Sequence, residues 1–293
     1  MNFKEKYNNI RQLVKPELNA IEQRMISDIH IREPLDTAAK KFLMLPSKRI
    51  RLVLAALYAK ATNETLSDEQ LEVLSVIELI HNASLIHDDI IDNSELRRGS
   101  KTLSAEFDSK LAVICGDYVL AIAMNKLAKL NNADILANIS RTISQMCLGE
   151  INQNFDRFQK TTLEQYIEKT KDKTAYLFES ALVCCMLLSK NSHNIEKISK
   201  LGMDIGIAFQ IRDDILNMID TDPSKPVNSD IKEGIYNAPV ILGDESDNYA
   251  SGIEKTKVLL NNYIKSAENQ IALLPENEYK TALEEFLELL NNV

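Results

Sequence analysis

Glycine and proline are scarce in this chain of 293 residues, which contains only 8 and 7 of them. An all-β chain needs many more of both residues for its turns, so this composition argues against a β-sandwich or barrel. The length suits one large domain or two ordinary ones. Hydrophobic residues make up 45% and charged residues 26%, as in ordinary soluble globular proteins. We therefore expect a globular, mainly helical protein.

Positive charge is also in deficit, with 34 Lys and Arg against 43 Asp and Glu and a net charge of −9. General nucleic-acid binding needs a basic surface, so we expect no nucleic-acid partner. An anionic small molecule is still compatible with this charge, because a site can be locally basic or can recruit metal ions.

Long hydrophobic runs and paired cysteines are missing as well. The stretch "SALVCCMLL" is too short to span a bilayer, and the longer "LAVICGDYVLAIAM" contains Asp117. The polar N-terminal sequence does not look like a signal peptide. The four cysteines lie in apolar stretches without CxxC spacing, at Cys115, Cys147, Cys184 and Cys185. We expect buried, reduced thiols in a cytoplasmic protein without a transmembrane segment.

Nearly every segment has helical periodicity. The predicted helices cover about 3–28, 48–61, 67–92, 107–130, 133–156, 163–171, 173–189 and 194–219, with two or three more near the C-terminus. Two of these starts carry capping-box signals, Ser67 with Gln70 and Thr162 with Gln165. The stretch 220–237 is the longest predicted loop, and loops of this length are usually functional or disordered. Without a repeat or a linker, we expect one all-α domain over 1–293, with ten or more helices around a central cleft.

Three carboxylates end the predicted helix 67–92. Asp88 and Asp92 are four residues apart and Asp89 is three before Asp92, so the helical spacing places all three in one sector. A solvated helix face would explain most such clusters. Here the flanking positions are apolar, like charges at this spacing cost about 0.2–0.5 kcal/mol per pair, and acidic groups oppose the dipole at a helix C-terminus. Divalent cations would remove these conflicts, since Mg²⁺ is commonly bound by one or two carboxylates.

A second acidic cluster lies in "GIAFQIRDDILNMID", which contains Asp213, Asp214, Asn217 and Asp220. Two acidic helices facing each other across a cleft could hold a diphosphate through metal ions. Basic residues that could meet such an anion stand beside these clusters, at helix starts or in loops: Lys48, Arg51, Arg97, Arg98, Lys173 and Lys225. Each one taken singly is more often a surface charge.

These motifs, taken in order, resemble the trans-isoprenyl diphosphate synthases, the polyprenyl synthetase family. "KRIR" is similar to the family's GKxxRP element, and "HDDIIDNSELRRG" resembles its first aspartate-rich motif with the arginine pair that follows. "GDYVLA", "GEINQ", "KTAYLF" and "FQIRDDILN" resemble later family elements. The resemblance covers nearly the whole chain.

The resemblance implies head-to-tail condensation of isopentenyl diphosphate with an allylic diphosphate. It implies Mg²⁺, three ions per site, bound by Asp88, Asp92 and Asp213, with Asp89 and Asp214 supporting these ligands. A homodimer is implied as well.

The resemblance also assigns the basic residues to two substrates. Arg97, Lys173 and Lys225 match positions that contact the allylic diphosphate, and Gln210 matches a residue beside the reacting carbon. The remaining polar positions match the isopentenyl diphosphate pocket: Lys48, Arg51, His81 and Arg98.

The chain departs from the family pattern at four positions. Ser47 and Leu52 replace the usual Gly and Pro, Asn217 replaces the last Asp of the second motif, and Ile235 stands where many members have Lys. We hypothesise that Asp220 partly compensates for Asn217. The departures could mean a slower enzyme or a subunit that needs a partner, but the intact first motif favours an active enzyme.

Product length is expected to depend on Ala83 and Ser84, which come five and four residues before Asp88 and are small. Early-stopping family members tend to have an aromatic residue here, so we expect a product longer than farnesyl diphosphate, such as a quinone side-chain precursor. Ala83 could instead merely pack against a neighbouring helix. A farnesyl or geranylgeranyl diphosphate synthase, a partner subunit with little activity alone, and a class I terpene cyclase are the alternatives. The cyclase would not need the isopentenyl diphosphate pocket.

Overall fold

The protein is described by a computed structural model over residues 3–219, 231 and 233–293. Its architecture is all-α, which confirms the predicted fold class. The helices are α1 Phe3–Gln12, α2 Lys15–Ser27, α3 Leu35–Leu43, α4 Ile50–Ala61, α5 Asp68–Ile91, α6 Leu103–Glu106, α7 Ser109–Lys129, α8 Ala133–Phe155, α9 Leu163–Thr170, α10 Tyr176–Leu187, α11 Ile195–Ile219, α12 Ala238–Leu242, α13 Ala250–Ile271 and α14 Glu278–Asn291. A π-helical turn, Lys171–Ala175, joins α9 to α10, and a 3₁₀ turn, Glu245–Asp247, precedes α13.

The first predicted helix, 3–28, is wrong as a single element. The chain forms α1 and α2 instead, with Pro16 in the first turn of α2. Proline lacks an N–H and its ring clashes with the carbonyl four residues earlier, so a helix cannot run through this position undisturbed. Helix α3 was not predicted, because its short apolar stretch follows Pro34 without a capping signal.

Both predicted capping boxes are present. The Ser67 hydroxyl accepts a hydrogen bond from the Gln70 amide while the Gln70 side chain accepts one from the Ser67 amide. Thr162 and Gln165 form the same reciprocal pair at the start of α9. These local signals fix where α5 and α9 begin.

The core is one continuous cluster of buried hydrophobic side chains from helices along the whole described chain. Helix α5 lies at its centre against α2, α7 and α10, while α10 also packs on α4, α8 and α11. Cys115, Cys184 and Cys185 are buried free thiols, as expected. Cys147 is exposed, so the expectation is wrong there, because this residue lies on the outward side of α8.

The polar segment after α5 forms a small hairpin. Strands β1 Leu96–Arg97 and β2 Ser100–Lys101 pair antiparallel across a two-residue turn. Both turn residues have positive φ, +52° at Arg98 and +78° at Gly99, as two-residue type I′ turns require. The hairpin turns the two arginines back towards the end of α5.

Among the residues that the structure describes, one helix, α7, is long and apolar enough to cross a membrane by length and composition. About two fifths of its most apolar stretch, 39%, is buried inside the protein. Asp117 lies in the middle of this helix, with its side chain 67% exposed.

Candidate active site

Helix α5 presents its three aspartates in three different environments. Asp92 is exposed, Asp88 is half-buried and Asp89 is buried. The Asp89 carboxylate accepts hydrogen bonds from Arg97 through Nε at 2.7 Å and through a terminal guanidinium nitrogen at 2.6 Å. Its second oxygen, Oδ2, is buried without a hydrogen-bond partner in the described part of the chain. The predicted common sector therefore holds for Asp88 and Asp92, whereas Asp89 is drawn inward by the hairpin arginine.

Asp88 lies in a site that disfavours its charge. The pKa of the Asp88 carboxyl is raised to about 6, mainly by burial and also by nearby Glu150 and Asp92, while Lys173 and Arg97 act to lower it. A carboxylate surrounded in this way gains from a cation that binds beside it.

Lys173 reaches the same region from the π-helical turn. Its ammonium pairs with the Glu150 carboxylate of α8 at 2.8 Å. Gly149 permits this approach, because a Cβ there would lie 2.9 Å from the Cβ of Asp172. Glu150 has no predicted role, and the only sequence signal for it is its place in the "GEINQ" element.

Helix α11 carries the second aspartate cluster, and two neutral groups donate to its buried carboxylate. Asp214 accepts hydrogen bonds from the Tyr166 hydroxyl at 2.6 Å and the Gln210 amide at 2.9 Å. The Thr174 hydroxyl in turn donates to the Gln210 side-chain oxygen at 2.8 Å. Burial and the adjacent Asp214 carboxylate raise the pKa of Tyr166 well above its ordinary value, which keeps this hydroxyl a donor. Asp213 is exposed.

A cavity of about 190 Å³ opens between these groups. It is lined by Gln153, Tyr166, Lys169, Thr170, Lys173, Thr174, Gln210, Asp214, Ile235 and Asn237. Three predicted site residues, Lys173, Gln210 and Asp214, thus meet at one cavity, and Ile235 lies there too. Tyr166 was missed because no motif connects it to a residue 48 positions later.

Cationic groups converge on His81, in the middle of α5. Burial lowers the pKa of His81 well below its ordinary value, and so do the nearby guanidinium groups of Arg51, Arg98, Arg49 and Arg97. Burial also lowers the pKa of Arg51 to about 10. Three of the four predicted isopentenyl diphosphate contacts, Arg51, His81 and Arg98, thus interact electrostatically.

Arg49 has a structural role that we did not predict. It is 3% exposed, has φ of +53°, and pairs with Glu78 at 2.6 Å and Glu22 at 3.1 Å while donating to the Leu43 carbonyl at 2.7 Å. Helix α4 begins only at Ile50. The prediction that Lys48 belongs to this helix is therefore wrong, because Arg49 adopts the left-handed conformation just before it.

Of the remaining predicted residues, two lie on α5 and two lie outside the described part of the chain. Ala83 is buried, and Ser84 is half-buried with its hydroxyl donating to the His81 carbonyl at 2.9 Å. Lys225 and Asp220 lie outside the described residues.

The donor set fits a metal that takes part of its shell from elsewhere. Within 3–219, 231 and 233–293, no group of three or more His, Cys, Asp and Glu side chains is close enough to hold an ion alone. Mg²⁺ usually takes one or two protein carboxylates and completes its octahedron with water and substrate phosphates. The Asp88 carboxyl, with its raised pKa, is a suitable protein donor of this kind.

The fold is a bundle of helices in which α5 and α11 each carry an aspartate cluster, and the comparisons identify the family. The polyprenyl synthetase family model matches residues 32–277, and the chain belongs to this family. A relative called "Prenyl transferase", from Cyanidium caldarium, is 34% identical over 96% of this chain and 97% of the relative. Solanesyl diphosphate synthase 1 of Arabidopsis thaliana is 30% identical over 94% of this chain and 76% of that protein. The structure of heptaprenyl diphosphate synthase from Staphylococcus aureus superposes with a TM-score of 0.87 and 26% identity, covering 96% of this chain and 98% of that one.

Proposed function

We propose that this chain condenses isopentenyl diphosphate with an allylic diphosphate to give a polyprenyl diphosphate longer than farnesyl. The convergence of Arg51, Arg98 and His81 beside the acidic end of α5 carries the proposal, because it offers a second anion site next to a metal-binding one. A terpene cyclase, which has one diphosphate substrate, would have no use for it. The named relatives that make solanesyl and heptaprenyl diphosphates support a long product.

The two diphosphates would bind on different sides of α5. Asp88, Asp92 and Asp213 would hold Mg²⁺, which supplies charge stabilisation for a departing diphosphate. Lys173 would leave Glu150 and donate to the allylic diphosphate. Asp89 and Asp214 would fix the positions of their neighbours through the bonds described above.

The isopentenyl diphosphate would bind Lys48, Arg51 and Arg98. Neutral His81 can donate one hydrogen bond to it without adding charge to a pocket that is already strongly cationic. Gln210, held by Thr174 and bonded to Asp214, would lie beside the reacting carbon. The apolar walls would exclude water, which would otherwise capture the allylic cation.

Chain length would be set below Asp88. Ala83 and Ser84 leave room on α5 one turn before the first aspartate, so a growing chain would not meet an aromatic floor there. This placement supports a product longer than farnesyl diphosphate.

We also propose a homodimer that forms through α7 and α8. Both helices expose large apolar side chains, led by Ile114 at 51% on α7 and Phe155 at 77% on α8. Exposed apolar patches of this kind mark protein interfaces. A second copy would cover these side chains. Sedimentation of the purified chain should give a dimer, and a monomer at micromolar concentration would contradict it.

We take residues 1–293 as a single prenyltransferase domain, because the core cluster is continuous along the described chain. Cytoplasmic localisation stays a prediction from the N-terminal sequence.

A single assay tests the proposed function. The purified chain is incubated with Mg²⁺, labelled isopentenyl diphosphate and geranyl, farnesyl or geranylgeranyl diphosphate, and the products are sized. We expect products longer than farnesyl diphosphate. No elongation with any primer would favour the partner-subunit alternative, and a product ending at farnesyl would refute the proposed length.

A further inference from the structure

The aromatic ring of Phe178 lies against the guanidinium group of Arg51. The guanidinium carbon of Arg51, on α4, is 4.7 Å from the centre of the Phe178 ring, on α10. This distance is within the ~6 Å range of cation–π attraction. Phe178 is 1% exposed and Arg51 is half-buried, so little water reaches the contact. Cation–π attraction is stronger at such a desolvated contact than at the protein surface.

Arg51 belongs to the group of cations around His81. Of the four arginines that lower the pKa of His81, Arg51 has the largest effect. The Arg49 guanidinium pairs with the Glu78 carboxylate, whereas the contact described for the Arg51 guanidinium is an aromatic ring. The Nε atom of Arg51 is also buried without a hydrogen-bond partner in the described part of the chain. Arg51 therefore combines a place in the pocket with an aromatic rather than an anionic neighbour.

The position of the Phe178 ring is set by α11. A Cβ on Gly206 of this helix would lie 2.5 Å from the Ala175 Cα and 3.2 Å from the Phe178 Cβ, so the glycine lets the two helices approach closely. Three residues later on α11, the ring of Phe209 packs on Phe178 with ring centres 5.4 Å apart. The ring is thus fixed on the α11 side and can act as a rigid surface for a cation from α4.

An aromatic ring suits an arginine that must later bind a diphosphate. The planar guanidinium group stacks on aromatic faces and offers its N–H donors in a fork that matches phosphate oxygens. A carboxylate partner would accept hydrogen bonds from these donors and would compete with an incoming anion. The ring attracts the cation through its quadrupole and accepts none of the in-plane hydrogen bonds. Such a contact restrains the guanidinium and leaves its donors for the substrate.

We infer that Phe178 is a positioning residue for the isopentenyl diphosphate subsite, whose ring holds the Arg51 guanidinium in the orientation that meets the substrate diphosphate. This inference rests on the proposed function. The "KTAYLF" element pointed to Lys173 and the allylic diphosphate, and its last residue is here assigned to the other substrate.

The test replaces Phe178 by mono-, di- and trifluorinated phenylalanine. Each added fluorine weakens the negative potential on the ring face, while the ring keeps nearly the same shape. Arg51 would then occupy its binding orientation for a smaller fraction of the time, and the KM for isopentenyl diphosphate rises as that fraction falls. We expect a stepwise rise that reaches about 2- to 30-fold with three fluorines, the range to which one cation–π contact corresponds. The value of kcat and the KM for the allylic substrate should change less than about twofold.

Two further variants check that the effect passes through Arg51. In an Arg51→Met background, trifluorination at 178 should have no further effect. Phe178→Leu removes the ring altogether, and it should raise the same KM at least as much as trifluorination does. Circular dichroism should show the wild-type helix content in each fluorinated protein.

Phe42 on α3 is the matched control, because its ring is also buried, at 4% exposed, but belongs to a different helix. Trifluorination at 42 should leave both KM values unchanged. An unchanged KM for isopentenyl diphosphate along the series at 178 would overturn the inference. So would an equal rise for both substrates, an equal effect of fluorination at 42, or an undiminished effect in the Arg51→Met background.

Calorimetric titration with isopentenyl diphosphate separates this inference from the proposed function. If the wild type makes no product yet binds isopentenyl diphosphate, the proposed function fails, and the weaker binding expected after trifluorination at 178 still decides the inference. If the wild type binds no isopentenyl diphosphate, both fail.

Discussion

The two aspartate clusters, here called the α5 wall and the α11 wall, each contain one buried carboxylate, and different kinds of donor bind the two. On α5, the buried Asp89 is bound by the cationic Arg97. On α11, the buried Asp214 is bound by the neutral Tyr166 hydroxyl and the neutral Gln210 amide. The described donor to the first buried carboxylate is thus a cation, whereas the two donors described for the second are neutral.

This difference indicates how the walls would share the work. On the α5 wall, Arg97 pairs with Asp89, so Asp88 and Asp92 are the carboxylates that could bind a cation. On the α11 wall, the buried Asp214 directly follows the exposed Asp213, and the two donors described for Asp214 carry no charge. Asp213 is therefore the exposed carboxylate of this wall.

The largest expected effect comes from neutralising an open carboxylate. Asp88→Asn and Asp213→Asn should each lower kcat by about 10²–10³, because a group that stabilises developing charge is lost from one wall. Steady-state assays at several Mg²⁺ concentrations would measure this, and the Mg²⁺ requirement should rise in both variants.

Asp68→Asn is the control on the same helix, since this carboxylate at the other end of α5 is 93% exposed and pairs with Arg24. Its kcat should stay at the wild-type value. Full activity in Asp213→Asn would mean that the α11 wall does not take part.

The walls also differ one turn before their aspartates, and this predicts a change in product. Helix α5 has Ala83 and Ser84 there, whereas α11 has Phe209, which packs on Phe178 with ring centres 5.4 Å apart. Ala83→Phe would make the walls alike and should shorten the main product by several isoprene units. Chromatographic sizing should show Ala83→Val in between.

Because Ala83 is buried, overpacking could unfold the variant, and circular dichroism checks this. The half-buried Ser84 gives a second route, with Ser84→Phe expected to act in the same direction. An unchanged product distribution in a folded Ala83→Phe protein contradicts the prediction.

A smaller effect is expected on stability, and the free energy of unfolding should fall by different amounts when the partner of each buried carboxylate is removed. Arg97→Leu leaves Asp89 charged, buried and unpaired, and should lower the free energy of unfolding by about 2–4 kcal/mol. Tyr166→Phe removes one neutral donor from Asp214 and should cost about 1–2 kcal/mol. Urea unfolding measures both. Adding Asp89→Asn to Arg97→Leu should recover part of the loss, and a larger cost for Tyr166→Phe would reverse the comparison.

The smallest expected effect is a pH dependence carried by His81. Its pKa is lowered in the folded state, so below the ordinary pKa of about 6.5 the unfolded chain binds a proton that the folded chain does not. Stability from this group is therefore complete above pH 6.5 and is lost as the pH falls, by at most about 1.4 kcal/mol per pH unit.

The measurement is urea unfolding at pH 7 and pH 5. His81→Gln should lose less stability over this interval than the wild type. His30→Gln, which changes an exposed histidine, should keep the wild-type slope. Equal slopes for His81→Gln and the wild type would show that His81 does not titrate differently on unfolding.

Local sequence signals predicted most of the helices, and the prediction failed where a helix is interrupted or begins without such a signal. Ser67 and Thr162 cap α5 and α9 through residues three positions away, so the sequence contains all that these starts need. Pro16 was also visible, yet helical periodicity on both sides concealed the break. Helix α3 has neither a cap nor a long apolar pattern.

The sequence motifs point to the aspartates and arginines of the candidate site, but not to the groups that bond to them. Tyr166 reaches Asp214 across 48 residues and Arg49 reaches Glu78 across 29. Such pairs depend on how helices pack, which no spacing rule reports. Phe3 is the extreme case, because its ring contacts the cationic side chains of Lys48 and Arg212, which are far apart in the chain.

The π-helical turn Lys171–Ala175 has one further consequence. A π turn accommodates one residue more than an α turn, and an α-helix advances by 100° per residue, so the turn sets the rotational phase of α10 relative to α9. Deleting one residue from the π turn would rotate the chain before the turn relative to the chain after it by about 100°. Tyr166, on α9, donates to Asp214, and the Phe178 ring, on α10, lies 4.7 Å from the Arg51 guanidinium carbon, so the two contacts could then no longer form at the same time. One local irregularity thus keeps both contacts in register.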